Sequence, residues 1–299
     1  MRIEQQGAHS TRRDFLKTAG CVLAGAALSA PRLKAAADAP RNLSKAIIYQ
    51  TVGLKGTVLE KFKAIQAAGF AGVEPISHLD QSEVMRAFEA TGLKAASVCC
   101  YKHWKYPLSD PDPTVRQACL DALKQALRDA HCYGATSVLF VPGVVKAGIT
   151  YDDCWHRSIA GIRQVLPLAE ELGVRIAIEN VLNDFITKPE QAVAYLDEIN
   201  SPHVGWHFDI GNSMNYGPPE KWIAALGKRI VKLHFKEFSA SKKFAVKFRE
   251  GDNNWPTIMK ALDQVGYAGW GISEQPASQA KDLAGLKDLA TQLDKIFMS

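Results

Sequence analysis

The sequence predicts an α/β protein of the (β/α)8 TIM-barrel class, one domain behind a cleavable signal peptide. Three observations carry this. Eight short apolar, β-branched runs recur, longer helical-period segments separate them, and about 250 residues hold them all.

The runs expected to be strands are residues 45–50, 72–76, 94–100, 137–141, 175–179, 203–209, 230–236 and 269–273. Between them, segments such as 57–68, 113–133, 155–172 and 188–199 space apolar residues three and four apart, as amphipathic helices do. Four helical segments run into glycine at or near their ends: Gly69, Gly92, Gly134 and Gly173. Glycine suits the left-handed position that terminates a helix. Strands alternating with helices make parallel βαβ units. Eight units in this length close a barrel rather than spread into an open doubly wound sheet. Residues 44–299 therefore read as one barrel, without linker or low-complexity tract. One connection is long for its place, 237–254, between the seventh and eighth strands.

Residues 1–37 read differently. Ser10-Thr11-Arg12-Arg13-Asp14-Phe15-Leu16-Lys17 is followed by a weakly apolar stretch, 21–30, and by Ala35-Ala36-Ala37. A charged start, a short apolar stretch and an A-x-A-like end make a signal peptide. The Arg-Arg-x-Phe-Leu-Lys core resembles the twin-arginine (Tat) export signal, which implies the Tat machinery as a partner and a periplasmic destination. A faint lipoprotein-like Thr18-Ala19-Gly20-Cys21 precedes the apolar stretch instead of ending it, and is set aside.

Composition narrows the function classes. Of 299 residues, 47% are hydrophobic and 22% charged, an ordinary globular balance. No run of 18 apolar residues occurs, so no membrane span is expected in the mature chain. The formal charge is +5, but residues 1–37 hold a surplus of four, which leaves about +1 for the barrel. No basic stripe of the kind a nucleic-acid binder keeps stands out there, so charge gives no reason to invoke DNA or RNA. Six scattered cysteines without a C-x-x-C make a poor disulfide framework and read as small buried hydrophobes.

In a TIM barrel the C-terminal strand ends meet at one mouth, so polar residues there are site candidates. The fifth strand ends in Glu179-Asn180 and the sixth in Trp206-His207-Phe208-Asp209-Ile210-Gly211-Asn212. The seventh ends in Leu233-His234-Phe235-Lys236-Glu237 and the eighth in Ser273-Glu274-Gln275. Glu179, Asp209, His234 and Glu274 thus come from four consecutive strands and can converge. A single such residue is more often a cap or a packed ring; four at equivalent positions are hard to obtain by chance. One nitrogen and three oxygen donors suit Mn²⁺, Mg²⁺ or Co²⁺ better than thiolate-loving ions.

The series Gly-Val-Glu74, Ile-Glu179-Asn, Phe-Asp209-Ile-Gly-Asn, Leu-His234-Phe-Lys236-Glu and Gly251-Asp252-Asn-Asn-Trp255 resembles the sugar phosphate isomerase/epimerase superfamily, or xylose isomerase-like TIM barrels. The resemblance runs from about Ser44 to the end. It implies a metal-dependent isomerase or epimerase acting on a sugar or keto-sugar. Glu179, Asp209, His234 and Glu274 would bind one divalent ion, foremost Mn²⁺, with Co²⁺, Mg²⁺ and Zn²⁺ as other candidates. Glu179 and Glu274 would also form the catalytic acid/base pair, moving a proton on the carbon next to a carbonyl through an enediolate. Two departures bear on the substrate. Asn212 stands where these epimerases place a substrate-contacting histidine, and Ser239-Ala240-Ser241 where they carry an arginine. Export also disfavours a phosphorylated cytoplasmic intermediate, and leaves a free sugar, a keto-sugar or a glycoside product. Glu74, His103, Trp104, His207, Asn212 and Lys236 are further substrate-facing candidates.

Three rival functions share the fold. A lyase or dehydratase on a keto-sugar, keto-glycoside or inositol derivative would start with the same proton abstraction. An endonuclease IV-like three-zinc nuclease needs further histidines, which Val141-Pro142 and Asn212 do not supply. A non-catalytic sugar-binding protein would have no reason to keep all four ligand residues.

Overall fold

The computed structural model describes residues 41–299. The expected signal peptide, 1–37, lies outside them. All eight expected strands are present, the third in two halves, so nine are numbered. They are β1 (Leu43–Ile48), β2 (Gly72–Glu74), β3 (Lys94–Ala95), β4 (Val98–Cys99), β5 (Ser137–Phe140), β6 (Arg175–Glu179), β7 (Val204–Asp209), β8 (Ile230–Phe235) and β9 (Gly269–Ser273). Among the described residues nine α-helices accompany them: α1 (Val58–Ala67), α2 (Gln81–Thr91), α3 (Pro113–Tyr133), α4 (Tyr151–Leu172), α5 (Pro189–Ile199), α6 (Ile210–Ser213), α7 (Pro219–Leu226), α8 (Trp255–Val265) and α9 (Leu283–Phe297).

The strands form one parallel sheet in the order β3-β2-β1-β9-β8-β7-β6-β5-β4. Its two ends belong to one bent segment. β3 pairs with β2 and β4 with β5, while Ala96 N–H donates to Val73 O and Cys99 N–H to Pro75 O, both at 2.9 Å. The barrel closes through that segment. Between its halves the Ser97 hydroxyl donates to Ser137 O at 3.1 Å, which accounts for the switch of partner.

Helix ends follow the local chemistry. Thr57 and Glu60 form a capping box that starts α1. Thr150 and Asp153 form another, so α4 begins at Tyr151 rather than near residue 155. Gly92, Gly134 and Gly173 cap α2, α3 and α4 in the left-handed conformation, and Gly69 lies one residue past the cap of α1.

Alternation along the strands sorts the apolar residues into two sets. Val73, Trp206, Phe208, Leu233 and Phe235 pack outward against the helices. Ala46, Ile48, Ala96, Cys99, Leu139 and Ile272 form a small cluster of their own, the inward set. Four cysteines are buried thiols as expected, but Cys132 is exposed. No helix among the described residues is long and apolar enough to cross a membrane.

Candidate active site

Registers step the four ligand-type residues along the rim, His207 standing two residues before Asp209 and Ile272 two before Glu274, and the strand stagger of the barrel brings the four together. Glu179 pairs with His207, and Asp209 with His234. Phe235 pairs with Ser273, and its carbonyl accepts from Glu274 N–H at 2.9 Å. Inward alternation then aims all four side chains at the C-terminal mouth. One donor atom from each lies within 4.8 Å of the others.

Asn180 locks β6 to β7. Its side-chain oxygen accepts from Asp209 N–H at 2.9 Å and Trp206 Nε1–H at 3.2 Å, and its Nδ2–H donates to Asp209 O at 2.8 Å. Asp209 caps the single turn of α6, accepting from Asn212 N–H at 2.7 Å through Oδ1. Its Oδ2 stays free for the cluster. Gly211 is needed here because a Cβ would run into the Lys236 backbone at 2.7 Å. The Asp-Ile-Gly-Asn run is thus a device for presenting one carboxylate oxygen.

His234 is the hub and is fully buried. Its Nδ1 stands 3.0 Å from Glu179 Oε1 and 3.3 Å from Glu274 Oε2, and its Nε2 stands 2.8 Å from Glu74 Oε2. Lys236 Nζ donates to Glu274 Oε2 at 2.9 Å and reaches Asp209 Oδ2 and Asn212 Oδ1 at 3.4 Å. Two like charges 4 Å apart repel by about 4 kcal/mol at an effective dielectric of about 20. Three carboxylates at this spacing therefore need positive charge among them.

The proton affinities show that need. Burial raises Glu179 and Asp209 above ordinary carboxyl values, Asp209 strongly, despite His234 beside one and Lys236 beside the other. Burial would raise Glu274 too, but Lys236 and His234 hold it well below its ordinary value. Burial alone would lower His234, yet Glu274, Glu74 and Glu179 raise it well above a free imidazole. A cationic ring and ammonium therefore bind the cluster together. A divalent cation fits the same donor set, in place of the Nδ1 proton.

The cleft over this cluster encloses about 240 Å³. Glu179, Glu274, His234, Lys236 and Asn212 form its polar side. Ile48, Cys99, Leu139, Val181, Leu182 and Phe244 give it an apolar wall. His103 also lines it, but is buried, with Nδ1 accepting from Val141 N–H at 3.3 Å; burial lowers its pKa to about 3 and keeps it neutral. Trp104, 52% exposed, stands at the rim, its ring edge-on to His103.

Two residues expected to face substrate lie elsewhere. Glu74 and His207 are fully buried and absent from the cleft wall. His207 shares a strand face with Asp209, but two residues earlier, so it sits about one layer deeper. Its ring packs against that of His234 with centroids 4.1 Å apart, and burial keeps it neutral.

Sequence reasoning passed over Phe244, Leu182 and Glu237. Glu237 ties down the long 237–254 connection, accepting from Arg249 N–H at 2.7 Å, Asn253 N–H at 3.2 Å and Trp255 Nε1–H at 2.7 Å. Gly251 lets that connection pass directly over Glu237 and Phe238. Phe244 is thereby brought over Lys236, with Nζ 4.7 Å from the ring centre. The Glu237…Gly251-Asp252 pairing was the available signal.

Comparisons with known proteins agree with this fold. The family model described as xylose isomerase-like TIM barrel matches residues 62–295. Over 240 residues the chain is 25% identical to an L-ribulose-5-phosphate 3-epimerase of Shigella flexneri, covering 76% of this chain and 84% of that protein. Among solved structures, D-allulose 3-epimerase from Methylomonas sp., in complex with D-allulose, superposes with a TM-score of 0.69 at 18% identity, covering 85% of this chain and 95% of that one. The 3-keto-D-glucoside 4-epimerase of E. coli gives 0.71 at 17% identity, with 85% and 99% covered. At such identities the two structures attest the shared fold. The family match spans most of the chain, and on it the chain belongs to the xylose isomerase-like TIM barrel family.

Proposed function

We propose that the chain is a divalent-metal-dependent epimerase of an uncharged sugar or keto-sugar. The observation that carries this is the meeting of Glu179 and Glu274 at His234 Nδ1 on the cleft floor, 3.0 and 3.3 Å away. Glu179, Asp209, His234 and Glu274 would hold the ion, with Mn²⁺ the best match to one nitrogen and three oxygens. When bound, the ion supplies Lewis acidity that draws electron density from a substrate carbonyl and its neighbouring hydroxyl.

The chain's own residues do the rest. Glu179 and Glu274 come from β6 and β9, with β7 and β8 between them. Carboxylates from separate strands can address opposite faces of a sugar carbon. One removes the proton beside the carbonyl, and the other returns a proton from the opposite face, inverting that centre. Lys236 holds Glu274 ionised and offers an N–H to developing negative charge on oxygen. Buried, neutral His103 and the apolar wall exclude water from the reacting carbon.

The lack of a free cation supports an uncharged substrate. Lys236 is the one Lys or Arg among the described residues that line the cleft, and Asp209 and Glu274 engage it. A phosphate ester is usually met by arginine forks, lysine or backbone amides. The test is a screen of free ketoses, 3-keto-glycosides and L-ribulose 5-phosphate with the Mn²⁺-loaded protein, read by product NMR. Epimeric product from an unphosphorylated substrate, with kcat/KM at least about tenfold above that for the phosphate ester, is expected. Unsaturated or deoxy products would replace epimerisation with elimination.

Export by the twin-arginine route is part of the same proposal. Replacing Arg12 and Arg13 together with Lys is expected to leave precursor in the cytoplasm. The guanidinium is a rigid planar fork that an ammonium does not reproduce, although the charge is kept. Cell fractionation decides it, and efficient periplasmic delivery of the double variant would remove the assignment.

A further inference from the structure

Glu74 belongs to neither the cleft nor the packing core. It ends β2, is fully buried, and sends Oε2 to His234 Nε2 at 2.8 Å, while Oε1 has no partner among the described residues. Burying a carboxylate is costly unless it is paired and hydrogen-bonded. An apolar residue would suit that position in a barrel better unless the charge had a use.

The use follows from the chemistry of the imidazole. A neutral ring carries one N–H and one lone pair, whereas an ionised carboxylate only accepts. With Glu74 at Nε2, that nitrogen must hold the hydrogen. Without an ion the cationic ring holds a hydrogen on Nδ1 as well; when a cation displaces it, the lone pair is left on Nδ1, the nitrogen that faces Glu179 and Glu274. The other tautomer would keep a hydrogen where the cation is to bind and set a lone pair against Glu74. His207 does not compete, because neither of its ring nitrogens makes a hydrogen bond among the described residues. Its ring lies at 65° to that of His234 and limits the swing of the latter. Lys232 shares a strand face with His234 two residues below and donates to Thr136 Oγ1 at 2.9 Å; burial lowers its pKa to about 8, against the pull of the Glu74 charge.

We propose that Glu74 is a positioning residue that fixes His234 as the Nε2–H tautomer and so turns Nδ1 into a cation ligand. This rests on the reading of the four-residue cluster as a metal site. It adds a fifth acidic or imidazole group that acts through His234 without touching ion or substrate. Carboxylate partners of this kind orient a ligating histidine and raise its basicity, and losing one typically costs about 10–100-fold in metal affinity.

The test measures Mn²⁺ affinity by calorimetry, and the His234 ring by ¹⁵N–¹H correlation in the Zn²⁺-loaded, diamagnetic protein. Glu74→Ala is expected to raise the Mn²⁺ Kd by about 10–100-fold and to lose a slowly exchanging Nε2–H signal. Glu74→Gln keeps the shape, so it carries the test if the alanine variant does not fold. Its amide can donate to Nε2 as well as accept, which admits the wrong tautomer and is expected to cost about tenfold. Val73→Ala truncates an equally buried neighbour on the opposite strand face; it is expected to lower Tm yet bind Mn²⁺ like the parent protein. Glu74 variants that bind Mn²⁺ within about twofold of the parent, with the His234 signals unchanged, would overturn the proposal and leave the metal site standing. A parent protein that binds neither Mn²⁺ nor Zn²⁺ would overturn both.

Discussion

Glu179→Gln and Glu274→Gln are each expected to keep a bound divalent ion and to lose proton transfer by about 10²–10⁴-fold. Glutamine retains an oxygen donor of the same reach, so the ion loses charge complementarity but not its ligand count. What disappears is a group able to take and return a proton. The two carboxyls are pushed in opposite directions: burial raises Glu179, while Lys236 and His234 hold Glu274 low against that burial. In D₂O the parent enzyme is expected to place deuterium on the carbon beside the substrate carbonyl before much product accumulates. Each variant should block exchange at one face more than at the other. If both Gln variants bind metal and turn over substrate near the parental rate, two-glutamate proton transfer is wrong.

The strands were legible because a strand buried on both faces must be largely apolar, and the stretches 46–48 and 176–178 are such runs. The split of the third strand was not legible, since it depends on Ser97 meeting Ser137, forty residues away. The early start of α4 was written in the chain as Thr150 and Asp153, a capping box that helical periodicity alone does not register. Within the site, Glu179, Asp209, His234 and Glu274 were recoverable because each stands at a strand's end or within one residue of it, and strand ends meet at one rim. The depths of Glu74 and His207 were not, because depth along the barrel axis follows from strand stagger, which appears only when the sheet closes. Alternation placed His207 on the inner face, and closure then put it under the hub rather than at the mouth. Phe244 reached the cleft through the anchoring of its loop on Glu237, a contact no periodicity encodes.

His234→Ala and Asp209→Ala are both expected to abolish tight Mn²⁺ binding, for different reasons that can be separated. Removing the imidazole takes away the one nitrogen donor and leaves three carboxylates with Lys236 as their main counter-charge. Stripping one partner from a buried charged set costs about 3–5 kcal/mol, or about two to three and a half decades in Kd. Asp209→Ala loses a carboxylate oxygen and also the cap on α6, worth about 1 kcal/mol. Asp209→Asn keeps the cap, since asparagine is an equally good capping residue, so any affinity it loses belongs to the charge. The parent protein adds a proton count. His234 is raised well above a free imidazole, so near neutral pH the ion-free ring is cationic. A cation at Nδ1 must displace that proton. Binding should therefore release protons, and the apparent Kd should fall as pH rises toward the raised value. Calorimetry in two buffers of unlike ionisation enthalpy reads the release directly, and His234→Ala should show less of it. One ion per chain is the expected stoichiometry. Three tightly held zinc ions, or parental affinity in both alanine variants, would move the cation site away from these four residues.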